Sequence, residues 1–256
     1  MRAAPSLATE GLTIRFGGHV AVNNVSCAFR PGTLTAVVGP NGAGKTTYFN
    51  LISGQLRASA GRVLLGGADV TALPAPVRAG RGIGRAFQLT NLFPNLTVLE
   101  NVRLAVQARA GVFYDLWSIA GRHRRLIETA ERALARVDLL ARASEPASAL
   151  SHGGQRRLEV AILLALDRPI VMFDEPTAGM SVDEVPVILD LIQSIKREGG
   201  RTVLLVEHKM DVVRSLADRI VVLHNGYLVA DGPPAEVIAS PIVQEAYLGL
   251  GAGSRV

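Results

Sequence analysis

The feature that most constrains this chain is the run Gly39-Pro40-Asn41-Gly42-Ala43-Gly44-Lys45-Thr46-Thr47. It matches the pattern of a glycine, four residues and Gly-Lys-Thr, and it follows an apolar, β-branched stretch at residues 34–38. Residues 48–52 continue as a stretch with helical character. A strand, a glycine-rich loop and a helix in this order form a P-loop, whose backbone N–H groups surround a polyphosphate at the helix N-terminus. The sequence therefore predicts a site for a nucleoside triphosphate.

Each residue type in this loop has a physical reason. Glycines let the backbone approach the phosphates closely. We expect Lys45 to reach the β- and γ-phosphates, Thr46 to place its hydroxyl on Mg²⁺, and Thr47 to donate to the phosphates. The alternative, a plain glycine-rich turn before a helix, is disfavoured by the complete match. The predicted nucleotide-binding residues of the loop are Gly39, Pro40, Asn41, Gly42, Ala43, Gly44, Lys45, Thr46 and Thr47.

Length and composition indicate one folded domain. A chain of 256 residues with 48% hydrophobic residues can bury a sizeable core. No apolar run approaches the roughly 20 residues that span a bilayer, and the N-terminus has no apolar signal segment. The single cysteine, Cys27, cannot form an internal disulfide. We therefore expect a cytoplasmic protein with at most a peripheral membrane role.

The charge balance is basic but gives little indication of a partner. A net charge of +5 is compatible with nucleic acid or anionic lipid. The arginines are scattered, however, and the cluster at residues 122–125 is short. Codon bias explains this arginine usage better, and no nucleic-acid partner is expected.

The order of predicted elements indicates the fold class. Residues 7–16 and 20–29 predict two strands joined by a turn at residues 17–19, an antiparallel hairpin ahead of the loop. After residue 150, apolar strands alternate with helices, which predicts a mostly parallel sheet. The predicted strands and helices of this part are residues 153–166, 170–173, 185–197, 202–206, 210–216 and 220–223.

Between these parts, apolar residues recur at helical spacing from about residue 97 to residue 140, without strands. We interpret this as a helical subdomain, approximately residues 89–150, inserted in the core. The fold class is thus α/β: a P-loop NTPase core with a mostly parallel sheet, an N-terminal antiparallel β-subdomain and an inserted α-helical subdomain, all within a single domain at residues 1–256.

A second motif is the apolar strand at residues 170–173 that ends in Asp174 and Glu175. A buried strand delivers its C-terminal residues to the sheet edge where ligands bind. This Walker B pattern places Asp174 near Mg²⁺ and Glu175 as the general base for the attacking water. The alternative is that the two acids only lead the strand into the turn at Pro176.

The most specific stretch is Leu150-Ser151-His152-Gly153-Gly154-Gln155. It resembles the Leu-Ser-Gly-Gly-Gln signature of ATP-binding-cassette (ABC) ATPases, and His152 departs from the pattern at the third position. The Ser151 hydroxyl and the N–H groups of Gly153 and Gly154 would form a second anion site at the start of a helix, with Gln155 beside them. The alternative is an N-cap serine and a flexible turn.

This resemblance covers nearly the whole chain and implies a Mg-dependent ATPase that works as a dimer. In that family two subunits pack head to tail, so that each ATP lies between the P-loop of one and the signature of the other. ATP then holds the dimer closed and hydrolysis releases it. The partner is a second copy of the chain or a paralogous ATPase.

The resemblance assigns roles to further positions. Phe16 is similar to the aromatic residue that stacks on adenine, with Val22 nearby; hairpin packing is the alternative for both. Gln88 resembles the lid glutamine that touches Mg²⁺ and the attacking water. His208 resembles the switch histidine on the γ-phosphate, although an isolated histidine is more often structural. Ser181 stands where the family usually has an aspartate.

Three stretches, at residues 15–25, 207–213 and 243–249, resemble the ATPases of branched-chain amino-acid importers. This implies two transmembrane permease subunits, an external solute-binding protein, and a peripheral location on the cytoplasmic face of the membrane. Related urea, amide or lipopolysaccharide systems are alternatives. So are a non-transport ABC ATPase acting on DNA or ribosomes and a module that binds ATP without hydrolysing it.

The permease subunits of this family insert a short helix into a groove beside the helical subdomain. By resemblance, residues 89–96 would line that groove, with Leu92, Phe93 and Leu96 as apolar contacts. The alternative is that these three side chains pack the subdomain onto the core.

Overall fold

The computed structural model describes residues 7–86, 92–111 and 120–248. These residues divide into two compact units. The first unit comprises Met1–Ile83, Pro169–Glu175 and Ile195–Val256, and the second comprises Gly84–Arg168 and Pro176–Ser194. Within the described ranges, no helix combines the length and the apolar character needed to cross a membrane.

The N-terminal part of the first unit is an antiparallel sheet. Its strands lie in the order β2-β1-β4-β5. Side chains alternate along β2, where Val25, Cys27 and Phe29 are buried and the residues between them are exposed, as expected for a strand with one face on a core. This confirms the predicted hairpin; the two-residue β5 was not predicted. The strands are β1 Leu7–Phe16, β2 His19–Phe29, β4 Ala60–Leu65 and β5 Ala68–Asp69.

The second sheet of this unit is mostly parallel, as predicted. The order is β10-β9-β3-β8-β7-β6, and β6 contributes Ile83 to this unit. The strands β3, β7 and β8 are buried along their whole length, which fits their continuous apolar sequences. β10 pairs antiparallel with β9 at the edge, whereas β3 pairs parallel with β8 and β9, and β7 pairs parallel with β8. The strands are β3 Leu34–Val38, β6 Ile83–Ala86, β7 Ile170–Asp174, β8 Thr202–Val206, β9 Arg219–His224 and β10 Tyr227–Gly232.

The helices of the first unit cover these sheets. Tyr48, Phe49 and Ile52 of α1 are fully buried in the same apolar core as Ile170 and Val206. The helices are α1 Lys45–Ser53, α2 Ala75–Arg81, α7 Met210–Leu216, α8 Pro234–Ala239 and α9 Pro241–Leu248.

The second unit is largely helical. Its helix α3 begins at a capping box, in which Thr97 and Glu100 each bond the other's backbone N–H. α3, α4 and α5 pack on one another through buried residues such as Val102, Leu134 and Leu158. The helices are α3 Val98–Ala110, α4 Ala120–Arg136, α5 His152–Leu166 and α6 Val185–Arg197, the last with residues 185–194 in this unit.

Arg78 fixes the C-terminal end of α1. Its guanidinium is almost fully buried and donates to the carbonyl oxygens of Leu51 at 2.6 Å and Ile52 at 2.8 Å. It also donates to Leu73 O at 2.9 Å and Thr71 O at 2.6 Å. Burial lowers the pKa of Arg78, and the nearby charge of Asp69 partly opposes this. One side chain thus joins the helix after the P-loop to the segment that follows β5.

We predict that Arg78→Met lowers the free energy of unfolding by about 3 kcal/mol, because it leaves buried carbonyl groups without donors. At this chain length the melting temperature should fall by roughly 10 °C. Thermal unfolding followed by circular dichroism measures this. Arg81→Met, an exposed arginine on the same helix, is the matched control. Equal melting temperatures for the two variants would contradict the role of Arg78.

Candidate functional site

The P-loop joins β3 to α1 and leaves the start of that helix without a side-chain cap. α1 follows Gly44, whose φ of 98° is left-handed, and its first turn contains no acidic residue. A Cβ at Gly44 would collide with the carbonyl oxygen of Ala21, so only glycine allows this approach to β2. The N–H groups of the first turn, which have no intrahelical acceptors, and the helix dipole favour an anion at this position.

Lys45 lies within this loop. Its side chain is 6% exposed, and Nζ donates to Gly39 O at 2.8 Å and Pro40 O at 3.0 Å. Burial lowers the pKa of Lys45, whereas the charges of Glu175 and Asp174 act in the opposite direction. The ammonium group is thus held by the loop, close to the two acids that the sequence predicts as site residues.

Thr46 and Asp174 present oxygen atoms to one another. Asp174 is buried at the end of β7, and the Thr46 hydroxyl donates to its Oδ1 at 3.5 Å. A hydroxyl and a carboxylate are hard oxygen donors of the kind that Mg²⁺ binds beside substrate phosphates. The donor set of this first-unit site therefore fits the predicted metal ion.

Glu175 has a backbone conformation that glycine usually adopts. Its φ is 50°, in the left-handed region, and its N–H donates to Val206 O at 3.0 Å. This conformation costs an L-residue roughly 1 kcal/mol or more. Strain of this kind is concentrated at functional sites, which supports the assignment of Glu175 as a functional acid.

Parallel pairing of β7 with β8 brings His208, the predicted switch histidine, to the same edge of the sheet as Asp174. Asp174 is opposite Val206 in the register, so the residues that follow each strand emerge side by side. His208 is half exposed there. The structure thus brings together Lys45, Thr46, Asp174, Glu175 and His208, which all belong to the first unit.

Sequence reasoning missed Glu207. Its side chain is fully buried, and Oε2 accepts hydrogen bonds from the backbone N–H groups of His208 at 2.8 Å and Lys209 at 3.2 Å. The same oxygen lies 3.8 Å from His208 Nδ1. The sequence did contain a signal for Glu207: an acidic residue directly after an apolar strand and before a histidine.

The remaining predicted residues of the nucleotide site differ in exposure. Phe16, at the end of β1, is 50% exposed and offers a free aromatic face. Val22 is fully buried and has a methyl group close to Gly44, so its part in nucleotide binding stays a prediction. Gln88 lies outside the described residues, as do residues 87–91 in general.

The signature lies at the start of α5 in the second unit. Ser151 is the N-cap, and its Oγ accepts from the N–H of Gly154 at 3.1 Å. Gln155 donates to Leu150 O at 3.3 Å, and Gly153 and Gly154 are buried. The N-cap interpretation is therefore correct as local structure. This cap uses only the oxygen of Ser151 as an acceptor, and the hydroxyl proton is donated to Glu184 Oε1 at 3.4 Å.

His152, the departure within the signature, lies near the loop at residues 178–181. Gly179, in the loop that ends at Ser181, has a left-handed φ of 73°, and a Cβ there would lie 3.3 Å from His152 Nε2. The histidine in the signature thus faces a glycine of the neighbouring loop.

The second unit also contains a small apolar cavity of about 110 Å³. Leu92 lines it, and Phe93, which follows Leu92 in the sequence, is 57% exposed. The groove for a permease helix at residues 89–96 stays a prediction. Leu96 is partly buried. The other lining residues are Arg85, Ala86, Glu159, Ile162, Leu163 and Leu166.

Comparison with known proteins identifies the family. Residues 22–178 match the ABC transporter model, and residues 228–252 match a model for a branched-chain amino acid ATP-binding cassette transporter. The chain is 40% identical over 250 residues to the high-affinity branched-chain amino acid transport ATP-binding protein LivG of Salmonella typhimurium, covering 96% of this chain and 98% of that one. It is 38% identical over 251 residues to BraF of Pseudomonas aeruginosa, a protein of the same description, with the same coverage.

Solved structures of ATP-binding cassettes resemble this chain in fold. The ADP conformation of the ATP-binding cassette MJ1267 has a TM-score of 0.82 and 29% identity, covering 96% of this chain and 99% of that one. A dimeric bacterial ABC transporter cassette, MJ0796, has a TM-score of 0.76 and 27% identity, covering 89% and 98%. With its α/β fold, its P-loop and its signature, this chain is an ATP-hydrolysing cassette and belongs to the ABC transporter family.

Proposed function

We propose that this chain is the ATPase subunit of an importer for branched-chain amino acids. It would bind two transmembrane permease subunits at the cytoplasmic face of the membrane, in a system that includes a solute-binding protein. The observation that carries this proposal is the match of residues 228–252 to the branched-chain amino acid cassette model, because that segment lies outside the ATPase motifs. The names of the relatives support the same solute class.

ATP binding follows from the first-unit site. The start of α1 and the Lys45 ammonium present positive charge to the β- and γ-phosphates. The other residues of the run from Gly39 to Thr47 supply backbone N–H groups and hydroxyls. Phe16 would stack on the adenine, since a large aromatic side chain that is half exposed has an open face.

Thr46 and Asp174 would hold Mg²⁺, together with Gln88. The ion, when bound, supplies positive charge that neutralises the phosphate oxygens during transfer. The close approach of the Thr46 hydroxyl to the Asp174 carboxylate supports this assignment.

Hydrolysis requires a general base for the attacking water and a hydrogen-bond donor to the γ-phosphate. Glu175 would accept the proton of the attacking water, and its left-handed backbone is strain of the kind concentrated at functional sites. His208 would donate to a γ-phosphate oxygen. Glu207 acts through His208 as a positioning residue, because its buried carboxylate fixes the backbone of both His208 and Lys209.

The signature would complete the ATP site of a second copy or a paralogue. Ser151, Gly153, Gly154 and Gln155 then touch the partner's γ-phosphate from the N-terminus of α5. The solved dimer of MJ0796 is a precedent for two cassettes associating. ATP-driven closure of two such subunits would supply the motion that powers transport.

The first experiment tests the transport assignment. The Glu175→Gln variant is purified from its own cell membranes in ATP and Mg²⁺, and the proteins that accompany it are identified. We expect two multi-span permease proteins and a paralogous ATPase. Recovery of ribosomes, DNA or no membrane protein would overturn the transport assignment while leaving the ATPase assignment in place.

Glu175→Gln should keep ATP binding but lower turnover by about 100-fold or more, because the amide cannot accept the proton of water. The variant should accumulate as an ATP-bound dimer in size-exclusion chromatography. Lys45→Ala is the comparison and should lose nucleotide affinity instead. Normal turnover of Glu175→Gln removes the general-base assignment.

Glu207→Gln should lower kcat about 10-fold with little change in KM, because the amide replaces one acceptor by a donor beside two backbone N–H groups. Steady-state ATPase kinetics and the melting temperature are measured together. Loss of stability without a selective change in kcat would show a purely structural role.

Phe93→Ala should leave basal ATP hydrolysis unchanged and weaken assembly with the permease subunits, because an exposed aromatic side chain in this apolar loop suits a helix-in-groove contact. Co-purification from membranes measures assembly. Leu140→Ala, another exposed apolar residue of the second unit, is the matched control. Unchanged co-purification of Phe93→Ala relative to this control contradicts the prediction.

A further inference from the structure

The carboxylate of Glu184 lies on the signature of its own chain. The Ser151 hydroxyl donates to Oε1 at 3.4 Å, and the Ser181 N–H donates to Oε2 at 3.3 Å. A Cβ built at Gly153 would collide with this carboxylate, so the absence of a side chain at Gly153 is what lets the acid approach the helix backbone. All four residues belong to the second unit.

This position is where the signature is expected to receive an anion. The N-terminus of α5 attracts negative charge through the N–H groups of its first turn and its dipole. The first turn of α5 has no acidic residue of its own. The negative charge at this helix end is therefore supplied from a different segment, by Glu184, the residue just before α6.

We propose that Glu184 is an internal anion that occupies the signature and competes with the γ-phosphate of the partner's ATP. This inference rests on the proposed function, in which the signature completes the ATP site of the partner. Two negative groups cannot share one helix end and one serine hydroxyl, because their charges repel at close range. The carboxylate must therefore leave Ser151 before the two cassettes can close on ATP.

The second oxygen of Glu184 gives this displacement a structural consequence. Because Oε2 accepts from Ser181 N–H, the carboxylate ties the signature to the loop at residues 178–181. The same loop passes close to the His152 ring, since a Cβ at Gly179 would lie 3.3 Å from its Nε2. Binding of the partner's phosphate would thus free the loop from the signature, and Glu184 would set the ATP concentration at which closure occurs.

The test uses the full chain carrying Glu175→Gln, so that hydrolysis does not remove the ATP. Light scattering after size-exclusion chromatography gives the ATP concentration at which half of the protein is dimeric. Glu184→Gln should lower this midpoint about five-fold, which corresponds to about 1 kcal/mol. Glu184→Ala should act in the same direction, because both changes remove the competing charge.

The matched control is Asp190→Asn, which removes an exposed carboxylate from α6 in the same unit. Its midpoint should equal that of the parent, and the melting temperatures of all variants should agree within a few degrees. An unchanged or higher midpoint for Glu184→Gln overturns the inference. The Glu184 carboxylate would then have no effect on ATP-driven dimerisation or would favour it. A parent that does not dimerise with ATP overturns the proposed function itself, and the two failures are thus distinguished.

Discussion

The attraction of a helix N-terminus for negative charge is the interaction on which this protein depends, and the chain uses it twice. α1 begins after Gly44 without a side-chain cap, and Lys45 adds a cation beside it. α5 begins at Ser151, which caps the helix and also faces the Glu184 carboxylate. The first helix end is left open for a substrate phosphate, whereas the second is already engaged by a carboxylate of the chain itself.

The site also requires a rigid sheet edge that holds Asp174 and Glu175 in place. Buried parallel strands supply it, because each strand is held by apolar contacts on both faces and by hydrogen bonds on both sides. The register that places Asp174 opposite Val206 brings Glu175 close to the segment of His208, although 32 residues separate them in the sequence. Catalysis of phosphoryl transfer consists mostly of positioning and charge neutralisation, so this edge provides much of what the reaction needs.

Three charged side chains that were not among the predicted site residues stabilise these arrangements. Arg78 caps the end of α1 from a different helix, and Glu207 holds the backbone beneath His208. Glu184 links the signature to the following loop. Each one satisfies backbone or hydroxyl groups close to a predicted site residue, so the chemistry of the motifs depends on polar contacts that the motifs do not contain.

The sequence by itself determined the α/β fold class, the hairpin, the succession of strands and helices along the chain and the residues of the P-loop. These features are readable because strand, loop and helix signals are local and their spacing is short. The exposure of Phe16, the strained φ of Glu175 and the roles of Arg78, Glu184 and Glu207 were decided only by the tertiary structure. The physical reason is that an isolated charged residue has the same sequence signal on a solvated surface as in a buried network. Only packing between distant segments determines which carbonyl, N–H or hydroxyl groups surround it.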